Sequence, residues 1–283
     1  MDRAIRGAVA AAVGVEVRGA RPLSGGDINQ AFAVDLADGR RLFVKCHRSA
    51  DPRMFRCEAR GLAWLAAADA LRLPEVIAVG DRFLALELLD PGSRIAGYSR
   101  ALGRGLAALH AFGADRFGFE EDNFLATLEQ DNTPEEQWAD FYSRRRLEPL
   151  VQRAIDHGHA PDSWGRDFAR LFARMNELVG PPEPPARLHG DLWSGNLHTA
   201  PDGRPALIDP AVYGGHREID LAMLRLFGSP GADFFAAYHE CYPLAVGHEE
   251  RVALYQLYPL LAHVNLFSGG YVSSVERAVR RYV

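Results

Sequence analysis

Apolar positions along the first ninety residues recur mostly at every second place, the period of a half-buried strand. Strands are predicted over residues 15–23 and 31–36, on either side of the turn-rich Ser24-Gly25-Gly26-Asp27-Ile28-Asn29. A third strand, residues 41–46, follows the tight Asp38-Gly39 turn, and alternation sets Leu42, Val44 and Cys46 on one of its faces and Phe43 with Lys45 on the other. Residues 51–68 then take a helical period, with Phe55, Glu58, Leu62 and Leu65 on one face. Two more strands, residues 75–79 and 83–88, run into Asp90-Pro91-Gly92, a strong breaker.

Past that breaker the period changes to 3.6. Helices are predicted over residues 98–112, 135–155, 163–179 and 218–227, with two more after Gly247. A proline-rich connector, residues 181–185, leads into Leu188-His189-Gly190-Asp191, and a second Asp-Gly turn at Asp202-Gly203 precedes a short strand over residues 205–208. No internal repeat interrupts the series. The pattern predicts an α+β chain of two lobes, a sheet lobe with one packed helix over residues 1–90 and a larger helical lobe over residues 91–283.

With 283 residues, 48% hydrophobic and 24% charged, the chain can bury a substantial core. A net charge of −5 with both signs mixed leaves no footprint for nucleic acid. No run approaches the ~20 apolar residues of a membrane span, and the N-terminal run, broken by Gly7 and Gly14, reads as a surface helix rather than a signal peptide. Cys46, Cys57 and Cys241 lack metal-ligand spacing and read as small buried hydrophobes in a reducing cytoplasm. Arg144-Arg145-Arg146 reads as one solvated helix face. Composition sharpens the picture at one point: of 32 basic residues, all but Lys45 are arginine. A solitary lysine marks a place where a compact ammonium serves and a planar guanidinium does not.

Phosphoryl transfer from ATP needs a cradle for the phosphates, a cation on them, Mg²⁺ held by oxygens, and a carboxylate to take the acceptor proton. Each has a candidate here. Gly25 and Gly26 lie in the turn between two strands, where a backbone without side chains can approach phosphate, although a plain hairpin uses the same residues. Lys45 points to the cleft side of its strand, and Glu58, in the apolar stripe of the next helix, needs a cation to offset its burial. The sharpest signal is His189-Gly190-Asp191-Leu192-Trp193-Ser194-Gly195-Asn196, followed by Ile208-Asp209-Pro210. That spacing sets a base, Asp191, beside two oxygen ligands for Mg²⁺, Asn196 and Asp209, as in kinases. His189 reads as support for the loop, and Asp220 as either a brace for it or an ordinary first-turn helix acid.

At this point the sequence resembles the fructosamine kinase (ketosamine-3-kinase) family, a relative of the aminoglycoside and choline kinases within the protein-kinase-like superfamily. The stretches that carry the resemblance run the length of the chain: Gly25-Gly26-Asp27-Ile28-Asn29, Phe43-Val44-Lys45, Leu84-Ala85-Leu86-Glu87, Phe117-Gly118-Phe119 with Asp122-Asn123, and Gln137-Trp138-Ala139-Asp140-Phe141-Tyr142. They continue through Arg146-Leu147, the His189 to Asn196 run, Asp209-Pro210-Ala211 and Gly269-Gly270-Tyr271. The His-Gly-Asp and Asp-Pro parts are shared across the superfamily, whereas the Trp-Ser-Gly-Asn ending, the Asp-Pro-Ala triplet and the Trp-x-x-Phe-Tyr helix resemble ketosamine kinases specifically. The resemblance implies a bilobal kinase fold and transfer of the ATP γ-phosphate to O3 of a free or protein-bound ketosamine, whose 3-phosphate breaks down and frees the amine.

Carried over by position, Glu87, Leu88 and Leu89 form the hinge whose backbone meets adenine, and Asp191 takes the proton. Trp193 either packs on the sugar or braces its loop. Gln137, Trp138 and Asp140 read as helix packing and surface. Where some family members carry a cysteine in the glycine loop, this chain has Asp27, so a disulfide there is unavailable and the expectation is a monomer or a noncovalent homodimer. Two readings stay open beside it: a kinase of another hydroxylated amine (an aminoglycoside, choline or homoserine), and a silent kinase-like binding module.

Overall fold

The alternation read from the N-terminal sequence becomes a five-stranded antiparallel sheet in the computed structural model, which describes residues 1–23, 29–49, 51–267 and 270–283. The helix α1 (Arg3–Val13) comes first, its start capped by the Asp2 carboxylate, which accepts the Ile5 N–H at 2.8 Å, and its end by Gly14 in the left-handed region. Strands β1 (Val17–Leu23), β2 (Gln30–Leu36) and β3 (Arg41–Cys46) follow, then α2 (Met54–Ala66), β4 (Val76–Gly80) and β5 (Phe83–Glu87), in the spatial order β1-β2-β3-β5-β4. The face of β3 that carries Leu42, Val44 and Cys46 packs with Phe83 and Ala85 against Ile5 and Val9 of α1. The opposite face meets α2, whose Phe55, Leu62 and Leu65 join Leu84 and Leu86 in the main core. Strand β5 is apolar on both faces because α1 covers one and α2 the other.

The chain passes from sheet to helices between Glu87 and Tyr98. Helix α3 (Tyr98–Phe112) has the predicted bounds. A hairpin, β6 (Asn123–Leu125) and β7 (Leu128–Gln130), precedes α4 (Trp138–Phe141), a π-helical turn (Tyr142–Leu147) and α5 (Glu148–Asp156). The single helix predicted over residues 135–155 is thus interrupted, and its chemistry shows why. Pro149 has no N–H to give the carbonyl of Arg145, and the Arg146 guanidinium donates to that carbonyl at 3.1 Å instead. Arg146 is thereby turned into the core, where its charge lies 4.0 Å from the centre of the Tyr213 ring. The reading of residues 144–146 as one solvated face is corrected accordingly: Arg146 is buried, Arg145 is paired with Asp131 and Glu135, and only Arg144 is exposed.

The remaining elements are α6 (Ser163–Ala173), α7 (Met175–Leu178), β8 (Ala186–Leu188), β9 (Leu197–Thr199), β10 (Pro205–Leu207), β11 (Tyr213–Gly215), α8 (Glu218–Leu226), α9 (Ala232–Cys241), α10 (His248–Tyr255), α11 (Leu257–Phe267) and α12 (Val272–Val279). Three helices rather than two follow Gly247, and α9 has no counterpart in the sequence reading. Its Phe234, Ala237 and Tyr238 are buried, and it packs on α3, so its apolar face is defined by that neighbour more than by its own period. Cys46 and Cys57 are buried as expected; Cys241, at the end of α9, is exposed, contrary to expectation. Among the described residues no helix is long and apolar enough to cross a membrane.

Candidate active site

The two halves of the chain meet over a cleft of about 1270 Å³. Lys45 enters it from β3 and Glu58 from α2, and both side chains are about nine-tenths buried. The Lys45 ammonium lies 2.8 Å from Glu58 Oε2 and 3.1 Å from Asp209 Oδ1. Burial alone would lower the pKa of this lysine, but the carboxylates of Asp209 and Glu58 outweigh it and hold the ammonium charged. The strand alternation and the helix stripe thus bring together two side chains that neither element would bury alone.

Two loops face this pair and lock onto each other. Asn196 donates from Nδ2 to the carbonyl of Asp191 at 2.8 Å and to Asp191 Oδ2 at 3.0 Å, which leaves its amide oxygen to the cleft. The Ala211 N–H reaches the His189 carbonyl at 2.9 Å and the Ile208 N–H the Asn196 carbonyl at 3.1 Å. Gly190 has φ +81°, and a Cβ there would sit 2.0 Å from the Ala211 carbonyl oxygen, so only glycine fits. Asp209 is itself held at φ +54°, a left-handed conformation that costs on the order of 1–3 kcal/mol unless its surroundings impose it. The imposing groups come from the β6–β7 hairpin: Asn123 donates to the Val212 carbonyl at 2.7 Å and Gln130 to that of Ala211 at 3.4 Å. Tyr258 and Asn123 in turn hold the Gln130 amide, and Arg146 holds Asn132 beside it.

His189 is buried, and its pKa is lowered by that burial, so the ring is neutral. Its Nε2 donates to the Ile208 carbonyl at 3.0 Å, and Nδ1 accepts the Asp191 N–H at 3.3 Å. Asp220 is fully buried: one carboxylate oxygen accepts the His189 N–H at 2.8 Å and the other the Gly190 N–H at 3.0 Å, while His110, held by Tyr238, donates to it at 3.2 Å. Asp220 thus grips the backbone of the catalytic loop. In Asp220→Asn the amide would turn an N–H toward one of these donors, and an unsatisfied buried group costs about 1–3 kcal/mol. The expected outcome is a fall in folding free energy of that size together with reduced turnover, measured by urea unfolding and by kcat.

Asp191 faces the cleft. Its carboxyl is pushed up to about 7 by burial, with the neighbouring Asp209 carboxylate adding to the shift and the hydrogen bond from Asn196 partly opposing it. A group that titrates near neutrality can both accept and hold a proton at working pH. Trp193, 40% exposed, lines the cleft and lies over Gly195 rather than in the core. Glu87, Leu88 and Leu89 line the cleft at the end of β5. The Glu87 N–H is bonded to the Glu75 carbonyl at 2.8 Å and its carboxylate to Arg72; the Leu89 carbonyl accepts His198 Nε2 at 2.9 Å. Gly25 and Gly26 lie outside the described residues. Trp138 is buried and stacks on Tyr142, in keeping with helix packing.

Sequence reasoning assigned no role to Asn123, Gln130, His110 or Tyr258, and it placed Arg146 on the surface. Asn123 and Arg146 lie within the stretches that carry the family resemblance, but their function as braces shows only when the hairpin and the Asp209 loop are seen together. Among the described residues no three His, Cys, Asp or Glu side chains gather as a metal site. The cleft instead offers the amide oxygen of Asn196 and the carboxylate of Asp209, hard oxygen donors of the kind Mg²⁺ takes along with phosphate oxygens and water.

A sequence model described as fructosamine kinase matches residues 1–283. A protein of Enterococcus faecium named as a candidate ketoamine kinase is 37% identical over 266 residues, covering 92% of this chain and 94% of its own. A chloroplastic protein-ribulosamine 3-kinase of Oryza sativa subsp. indica is 36% identical over 281 residues, covering 95% of this chain and 80% of its own. The crystal structure of a candidate fructosamine-3-kinase from Thermobifida fusca superposes with a TM-score of 0.92 at 38% identity, covering 100% of this chain and 99% of that one. Solved phosphotransferases at 14–17% identity share the fold alone, at TM-scores of 0.61–0.69.

Proposed function

The chain belongs to the fructosamine kinase family, and from that premise we propose that it transfers the γ-phosphate of ATP to O3 of a ketosamine. The observation that carries the reading is the convergence of Lys45, Glu58, Asp191, Asn196 and Asp209 on one point of the cleft. Asp191 orients the O3 hydroxyl and takes its proton as the O3–P bond forms and the bond from phosphorus to the β,γ-bridging oxygen breaks, ADP leaving with that oxygen. Lys45, held by Glu58, directs its ammonium at the phosphates. Asn196 and Asp209 would hold Mg²⁺, which when bound supplies positive charge against the phosphate oxygens. Leu23, Ala31, Phe43, Leu86 and Ile208 give the adenine its apolar walls, and the N–H of Leu89 and the backbone of Leu88 give it polar contacts, since the Glu87 N–H and the Leu89 carbonyl are already bonded.

The product is a ketosamine 3-phosphate, which loses its phosphate and releases the amine, so the activity serves deglycation. The free thiols of the chain fit a reducing, cytoplasmic setting. ATP consumption with Mg²⁺ against ribulosyl-lysine, erythrulosyl-lysine, fructosyl-lysine, an aminoglycoside and choline tests the assignment, with Asp191→Asn as the blank. Turnover confined to the three ketosamines is the expected result. Turnover on the aminoglycoside or choline alone would transfer the protein to that class, and binding of ATP with no transfer to any acceptor would make it a binding module.

A further inference from the structure

Beyond the catalytic groups, one wall of the cleft is built of rings. Phe227, at the end of α8, stacks on His263 of α11 with centroids 4.5 Å apart and planes 28° from parallel. Tyr271 lies 4.8 Å from the same imidazole and Phe267 lies 5.5 Å from it. All four line the cleft together with Trp193, and Phe267 is 47% exposed. The wall is tied directly to the catalytic loop, because Ser194 donates from its hydroxyl to the Phe227 carbonyl at 2.8 Å and from its N–H to the same oxygen at 3.2 Å. The rings are thereby tied to the residue that follows Trp193 in the same loop that carries Asp191, and they share its cleft.

Within this wall His263 has a defined polarity. Its Nδ1 lies 2.7 Å from the carbonyl of Pro259, one helical turn back, and a carbonyl only accepts, so Nδ1 carries the hydrogen. In the neutral ring Nε2 is then a bare acceptor. Burial lowers the pKa of this histidine and so keeps the ring neutral. Three aromatic rings with one hydrogen-bond acceptor among them make a site suited to a cation that carries N–H groups. A ketosamine has such a group close to its reacting oxygen: only C1 and C2 separate the secondary ammonium from C3.

We propose that His263 Nε2, framed by Phe227, Phe267 and Tyr271, receives the protonated amine of the ketosamine and makes this kinase selective for amine-bearing over neutral ketoses. The inference rests on the kinase reading above and deepens it. In this arrangement the ammonium gives an N–H to Nε2 and sets its charge beside the aromatic rings, and the two carbons between amine and C3 carry O3 toward Asp191.

The test compares whichever of ribulosyl-lysine, erythrulosyl-lysine and fructosyl-lysine turns over fastest with its analogue acetylated on the sugar-bearing nitrogen, which is neutral at that position. In the wild type kcat/KM is expected to favour the amine by about ten- to a hundredfold, the range of one hydrogen bond to a charged group, with the difference in KM. His263→Phe keeps the stacked ring and removes the acceptor; it should reduce the preference to within about threefold, with the KM for ATP and the rate on the neutral analogue unchanged. His263→Gln, which keeps an acceptor oxygen, should retain more of the preference than Phe. In the unaltered protein the Nε2 ¹⁵N resonance of His263 should move on adding a 3-deoxy ketosamine, which binds but cannot be phosphorylated, and stay in place with its N-acetyl form. An unchanged preference in His263→Phe, or a resonance indifferent to the amine, would overturn the proposal while leaving the kinase assignment intact. A wild type that turns over none of the three ketosamines would instead overturn the kinase reading, and the inference with it.

Discussion

Asp191→Asn will lower kcat for ketosamine phosphorylation by about 10²- to 10⁴-fold, the usual effect of losing a positioned base, and will leave the fold intact. The amide can still accept the Asn196 N–H, so the loop keeps its shape, but it cannot take the proton of O3. The same variant will be more stable than the wild type in neutral and alkaline solution. The Asp191 carboxyl releases its proton near 7 in the folded protein and near the ordinary 3.8 when unfolded. Folding therefore favours the protonated form: this group's contribution to stability is fully present below about pH 4 and is lost as the pH rises to about 7. The variant has no such group, so its advantage grows over that window and levels off above it. Allowing for partial solvent contact, the gain is on the order of 2 kcal/mol, or a few degrees in Tm for a chain of this size. Thermal melts from pH 5 to 8.5, without nucleotide, read the stability, and stopped assays read the rate. Near-normal turnover would remove Asp191 from its role, and melting curves that coincide at every pH would show that its carboxyl is not disfavoured by burial.

Lys45→Arg will cost about a hundredfold or more in kcat/KM for ATP even though the charge is kept. The ammonium sits between Glu58 at 2.8 Å and Asp209 at 3.1 Å in a site where the lysine is 7% exposed. A guanidinium is larger and planar, and its fork prefers to engage one carboxylate with two parallel bonds. It would either displace Glu58 or pull Asp209 from the position its strained backbone defines, and a misplacement of about 1 Å in such a site is enough for a hundredfold loss. Steady-state kinetics at saturating ketosamine measure it, with urea unfolding to separate a fold defect from a site defect. A variant as active as the wild type would mean that the only lysine among 32 basic residues survives by chance.

Much of this site was legible before any coordinates. The two-residue period of residues 41–46 places Lys45 on the opposite face from Val44, and the helical period of α2 puts Glu58 in an apolar stripe; the structure joins them as an ion pair. The spacing of Asp191, Asn196 and Asp209 predicted three groups around one point, and they lie in one cleft. Asp220 was open between a brace and an ordinary first-turn helix acid; it does lie in the first turn of α8, and two backbone N–H groups and a histidine on its fully buried carboxylate make it a brace as well. Trp193 was open between loop packing and the substrate side, and its exposure puts it on the cleft wall.

The rest depended on partners far away in the chain. Local periodicity is a property of neighbouring residues, so it determined by itself the five strands of the N-terminal sheet and β10, most helices, the faces they bury and the order of the catalytic groups, but not the short strands β6 to β9 and β11. It has no access to the helix on which α9 rests, or to the rings of Tyr213 and Tyr258 that receive Arg146 in the core. Nor does it show that a hairpin at Asn123 and Gln130 would hold Asp209 in a left-handed conformation from more than 75 residues away. Asp209 itself meets Lys45 across a separation of 164 residues. The residue types and their spacing determined what chemistry the chain can offer. The tertiary structure decided which buried polar group satisfies which, because inside a core each donor and acceptor must find its partner wherever the fold brings one within about 3 Å.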